Sequence, residues 1–71
     1  QARVWAVDNG VNISTGQDVN FVATMYSVDG RVIATTDGKG EAILSAAGYK
    51  GVAIVQVVSE GVAHTAKVVI R

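Results

Sequence analysis

The sequence predicts an all-β chain folded as an antiparallel β-sandwich of about seven short strands. Turn-forming clusters recur at Asp8-Asn-Gly10, Ser14-Thr-Gly-Gln17, Val28-Asp-Gly30, Asp37-Gly-Lys-Gly40, Ala47-Gly-Tyr-Lys-Gly51 and Glu60-Gly61. Their spacing is close to the roughly 8–12 residues that separate turns in sandwiches and barrels. Between them, apolar and polar residues alternate with the period of two that a half-buried strand requires. No window carries a helical period, and strong helix formers are sparse.

The candidate strands follow in order. Arg3–Val7 and Val11–Ile13 flank the Asp8-Asn-Gly10 turn. In Val19–Ser27, Val19, Phe21, Ala23 and Met25 share a wholly apolar face and are expected in the core. Arg31–Thr36 and Glu41–Ser45 are expected to be joined by a tight turn at Asp37-Gly38, a dipeptide that accepts the positive φ of hairpins, as does Asp29-Gly30. The Ala42-Leu44-Ala46 face points inward. Val52–Ser59 is apolar on both faces, so it is either central or covered by a neighbour. In Val62–Ile70, Val62, Ala66, Val68 and Ile70 align toward the core. The expected buried set is Val19, Phe21, Ala23, Leu44, Val55, Val57, Val68 and Ile70.

Composition bounds the function. Seventy-one residues make a single domain, 1–71, and the Gln1 start reads as a piece of a larger protein. There is no cysteine, which excludes disulfides and thiolate zinc sites. Lys plus Arg and Asp plus Glu balance at six each, and the charges are scattered. That leaves no basic stripe for nucleic acid and no polybasic segment for an anionic membrane. The apolar run Val52-Ala-Ile-Val55 is far short of a bilayer span. The absence of proline removes one device for blunting sheet edges.

Thr35-Thr-Asp-Gly-Lys-Gly-Glu-Ala-Ile-Leu44, then Tyr49-Lys-Gly-Val-Ala-Ile-Val-Gln-Val-Val58 and a short Gly turn, resemble the C-terminal half of a bacterial immunoglobulin-like domain. The kind is that of the intimin and invasin adhesins. Asp8-Asn-Gly10 and Gln17-Asp-Val-Asn-Phe21 match that family more loosely. The run Val28–Gly40 is also similar to sandwich domains of bacterial α2-macroglobulins and to immunoglobulin-like modules of phage virion proteins. The chain departs by lacking a proline between Asn9 and Gln17 and by falling short of the roughly 100 residues of a full immunoglobulin sandwich. The resemblance implies an immunoglobulin-like β-sandwich. It also implies a non-enzymatic structural or adhesive module, a spacer or partner-binding unit, that is extracellular, at a cell surface or in a virion. Its alternative is a carbohydrate- or receptor-binding module, or an accessory domain of a larger enzyme or α2-macroglobulin-like protein.

Side chains able to carry chemistry are few. His64, the lone histidine, lacks a nucleophile and an orienting carboxylate at useful spacing, so it reads as structural. Asp37 and Glu41 share one loop with Lys39 between them; Asp29 joins them only if the turns converge at one end. They read as turn residues, and no metal or other cofactor is expected. An isopeptide bond from Lys50 or Lys67 to Asn20, beside Asp18, is disfavoured because an unbonded buried pair is costly. Trp5, Tyr26 and Tyr49 are the candidate interface residues. Trp5 has two readings, the central core aromatic or an exposed anchor, and the core position is the one expected. The expected partner is a neighbouring domain or an identical subunit, with a host-surface protein or glycan as a further possibility. Val52–Ser59, placed at or near a sheet edge, would offer the pairing surface and Trp5 or Tyr49 the junction.

Overall fold

A computed structural model describes residues 2–71. Among the described residues there are seven strands and no helix, and the strands form two antiparallel sheets. The strands are β1 (Arg3–Val7), β2 (Gly10–Ser14), β3 (Asn20–Ser27), β4 (Val32–Lys39), β5 (Glu41–Ser45), β6 (Gly51–Ser59) and β7 (Val62–Ile70). Hydrogen-bonded neighbours run β1-β2-β5 in one sheet and β4-β3-β6-β7 in the other. A single pair, Lys39 with Glu41, links the two where the chain turns at Gly40. On the opposite side β1 lies alongside β7, with no ladder between them among the described residues.

Alternation builds the core. Phe21, Ala23 and Met25 of β3 and Ala53, Val55 and Val57 of β6 are buried, and they meet Val11 and Ile13 of β2 and Leu44 of β5. Val68 and Ile70 complete it from β7. Two inward expectations fail, both at strand ends. Val19 is only half-buried, because β3 begins at Asn20 and Val19 sits in the preceding loop. Val62 is 68% exposed, since it follows the β6–β7 turn where the three-stranded sheet no longer covers β7.

The expected Asp37-Gly38 turn is also corrected. Both residues lie within β4, opposite Val22 and Phe21, and the reversal occurs at Gly40, whose φ is 78°. Gly38 serves close approach: a Cβ there would stand 3.0 Å from the Phe21 ring and 3.0 Å from the Ala42 Cβ. Gly10 is similar, since a Cβ would run into the Leu44 carbonyl oxygen of β5. The β6–β7 connection is a two-residue turn with both Glu60 (φ 51°) and Gly61 (φ 79°) in the left-handed region, the signature of a type I′ hairpin. Near the β3–β4 turn Met25 pairs with Ala34 but Tyr26 with Val32, so Ile33 is the extra residue of a bulge. Ile33 and Ala34 then both pack against the core.

The loops fall at two poles. The amino pole holds Ala2, the β2–β3 loop, the Gly40 turn and the Glu60-Gly61 turn. The carboxyl pole holds the Asp8-Asn9 turn, the β3–β4 turn, the β5–β6 loop and Arg71. Phe21→Ala is expected to cost about 3–5 kcal/mol, against a total of roughly 4–10 kcal/mol for a chain of this length. Thermal melting followed by circular dichroism checks this; an unchanged midpoint would contradict the role given to that ring.

Candidate functional site

The three aromatic candidates stand on three different surfaces. Trp5 pairs with Asn12, which pairs with Ile43, and all three project from the outer face of the three-stranded sheet. Trp5 is 40% exposed, with the Arg3 guanidinium 5.9 Å from its ring centre. The core reading of Trp5 therefore fails. Its strand register places Val4 beside buried Ile13, and so turns Trp5 outward. Tyr26 lies half-buried on the outer face of the other sheet, between Val32 and Ile54. Tyr49 sits in the β5–β6 loop, packs against the core and donates its hydroxyl hydrogen to the Val52 carbonyl at 2.7 Å. The fold does not bring the three together as one platform.

A larger feature is the outer face of β4-β3-β6-β7. Its residues form rows across the strands: Asp37, Val22, Val58, Ala63; then Thr35, Thr24, Gln56, Thr65; then Val32, Tyr26, Ile54, Lys67. Val52 and Val69 extend it toward the carboxyl pole. Val22 is 50% exposed and Val69 51%, and Val32, Val52 and Val58 are exposed as well. Two exposed apolar bands, Val22 with Val58 and Val32 with Tyr26 and Ile54, are thus separated by a polar row, and exposed apolar surface is where interaction sites are sought. The two-faced character of β6 was legible in the sequence; the alignment of its outer residues with Val22 and Tyr26 depends on register. Placement of β6 at an edge is not what the structure has, because β3 and β7 flank it.

The amino pole carries a cleft of about 300 Å³, lined by Ala2, Thr15, Val57, Ser59, Glu60 and His64 among others. Sequence reasoning missed it because these residues are far apart along the chain. The hydroxyls there are engaged with main chain: Thr15 donates to the Gln17 carbonyl at 2.6 Å, and Ser59 to the Asn20 carbonyl at 3.2 Å. No hydrogen bond joins His64 to Ser59 or Glu60 among the described residues, so no relay of nucleophile, base and orienter is assembled.

The acidic residues do not converge. Asp29 is in the β3–β4 turn at the carboxyl pole, whereas Asp37 and Glu41 flank Gly40 at the other. Among the described residues no group of three His, Cys, Asp or Glu side chains comes together. Lys39 pairs with Asp18 at 3.9 Å. The isopeptide candidates are apart as well. Lys50 holds Asn9 Oδ1 and the Arg71 carbonyl, both at 2.9 Å, at the pole opposite Asn20, while Lys67 is exposed in the row of Tyr26. Among the described residues no helix is long and apolar enough to cross a membrane. Comparison with family models, curated proteins and solved structures gives no match.

Asp29 accepts a hydrogen bond from the Ser27 hydroxyl, and that bond, aided by the Asp29 and Arg31 backbone amides and the Arg31 charge, holds its carboxyl below the ordinary 3.8. A lowered carboxylate pKa adds stability above the unfolded value, and this is lost as pH falls from about 4 through the folded value. Asp29→Asn should thus lower the neutral plateau and flatten the acid limb, the variant and parent profiles converging at low pH. Urea melts between pH 2 and 7 measure this; a variant whose stability falls with pH as steeply as the parent's would assign the acid loss elsewhere. Trp5→Ala should change stability by less than about 1.5 kcal/mol, because the ring lies outside the core. Denaturant titration gives the value, and a loss near the cost of a core aromatic would contradict its outward position.

Proposed function

We propose that this chain is an immunoglobulin-like module, non-enzymatic, serving as a spacer or partner-binding unit in a bacterial surface or phage virion protein. Strand order supports the fold family. An immunoglobulin constant-type sandwich holds strands 1, 2, 5 and 4 in one sheet and 3, 6 and 7 in the other. Here β1, β2 and β5 share one sheet and β3, β6 and β7 the other, with β4 transferred to the edge of β3. The surface or virion setting rests on the Thr35–Leu44 and Tyr49–Val58 resemblance to adhesin domains.

The observation that carries the spacer role is the course of the chain: Ala2 lies at one pole and Arg71 at the other of a body 30 Å long. Tension applied through those ends pulls β1 along β2 and β7 along β6. Five and nine residue pairs are then loaded together in shear. Ladder hydrogen bonds sheared in parallel resist jointly, whereas pulling both ends from one pole opens them one at a time.

A second reading, glycan or receptor binding, is favoured by one observation, the partly exposed indole of Trp5 beside Asn12 on a flat sheet face. Screening the chain and Trp5→Ala against glycans separates it from the spacer reading.

Tandem copies stretched end to end should unfold in discrete steps, each releasing roughly 200–230 Å of chain. They should do so at clearly higher force than copies pulled between positions 9 and 71, both at the carboxyl pole. Equal forces in the two geometries, or extension without steps, would remove the load-bearing role.

A further inference from the structure

We propose that the outer face of β4-β3-β6-β7 is a homotypic interface, joining two copies of this chain side by side with their poles aligned. The inference does not depend on the spacer reading. It comes from the register of the two central strands. Val22 pairs with Val58, Thr24 with Gln56 and Tyr26 with Ile54, so every row holds chemically like residues on either side of the line between β3 and β6. A two-fold axis along that line, parallel to the strands, exchanges β3 with β6 and makes the face complementary to itself. Val22 then meets the partner's Val58, Thr24 meets the partner's Gln56 and Tyr26 meets the partner's Ile54. Apolar rows cover apolar rows, and the polar row between them is opposed by hydrogen-bonding groups. A partner lacking this pairing would leave Thr24 and Gln56 against apolar surface, at the cost of unmet hydrogen bonds.

The flanking strands fit the same axis. Asp37 meets the partner's Ala63, Thr35 meets the partner's Thr65, and the stem of Lys67 lies over the partner's Val32, leaving its ammonium at the rim. No like charges are brought together, and Lys39, beyond the patch at the amino pole, is held by Asp18. Each strand faces a partner strand of opposite sense with their axes aligned, which is the aligned mode of sheet packing. Area is adequate: one broad face of a 30 × 22 × 15 Å body is roughly a quarter of its 4324 Å² surface, about 1,000 Å² against the ~800 Å² per partner of a standard interface.

The register makes the test specific. Sedimentation of the 71-residue chain over a dilution series from millimolar to micromolar should show a reversible monomer–dimer equilibrium. Val22→Lys, beside Asp37 on its own sheet, and Val58→Asp each set a charge against a valine of the partner copy, so each variant alone should weaken dimerisation at least tenfold. An equimolar mixture of the two should dimerise again, because Lys at position 22 of one copy then faces Asp at position 58 of the other. If circular dichroism shows that either variant has lost its fold, Thr24→Glu with Gln56→Lys repeats the experiment one row along. A wild-type chain that stays monomeric at millimolar concentration overturns the proposal and leaves the face to another partner. A dimer that persists in Val22→Lys, or a mixture that fails to pair, overturns it equally.

Discussion

Gly40 is where two sheets become one molecule. Its carbonyl accepts the Thr15 amide at 2.9 Å, and its own amide donates to the Val19 carbonyl at 3.0 Å. The Thr15 hydroxyl reaches the same Gly40 carbonyl at 3.2 Å. The turn that carries the chain from β4 to β5 is thereby bonded into the loop that carries it from β2 to β3. Two of the three crossings between sheets are fixed by one patch of backbone. A left-handed φ at this position is natural for glycine and costly for other residues. A chain of 71 residues without disulfides has little core to spare, so a clip made from main-chain groups is an economical way to hold the apolar faces in register.

With that end fixed, the opposite end is tied by side chains. Lys50 bridges the β1–β2 turn and Arg71, the residue after β7, and the Tyr49 hydroxyl closes the β5–β6 loop onto Val52. Tyr49 differs from the tyrosine corner of immunoglobulin domains, whose hydroxyl reaches back along the chain, since here the bond runs three residues forward. The work is the same, to satisfy a carbonyl at a strand end and pin the loop.

Strands were legible because alternation is a local property. β1, β5 and β7 fall where their residues alone place them, and the others differ by a few residues at their ends. What was not legible depended on neighbours. Gly38 looks like a turn glycine, but the Phe21 ring occupies the space its side chain would need. Trp5 has the same local pattern whether it faces in or out; pairing of Val4 with Ile13 decides. The candidate surfaces divide the same way. Apolar residues in the outer phase of β3 and β6 were visible in the sequence, but their assembly into rows follows from pairing across 28 to 36 positions of chain. The cleft around His64 draws on three separate stretches of chain and left no signal in any of them.

The outer valines carry a physical tension that the rest of the fold does not relieve. β-branched residues suit a strand whichever face they occupy, so Val22, Val32, Val52, Val58 and Val69 are compatible with the sheet itself. An antiparallel sheet with one open face can nevertheless place threonine there at no loss of strand propensity, and the Thr35–Thr24–Gln56–Thr65 row does so at three of its four positions. On either side of that row this chain keeps valine, isoleucine and tyrosine. Thr24 and Thr35 share a hydrogen bond at 3.2 Å, which keeps the polar row flat against the sheet and the apolar rows prominent beside it. A polar band between two apolar bands reads as a register mark: it fixes how an opposing sheet must slide to meet this one, which a uniformly apolar face would leave free. Under the two proposals axial load would enter through the poles and lateral contact through this face, so the two demands would fall on different residues. Substitutions in the rows would then alter lateral association with little effect on the buried faces.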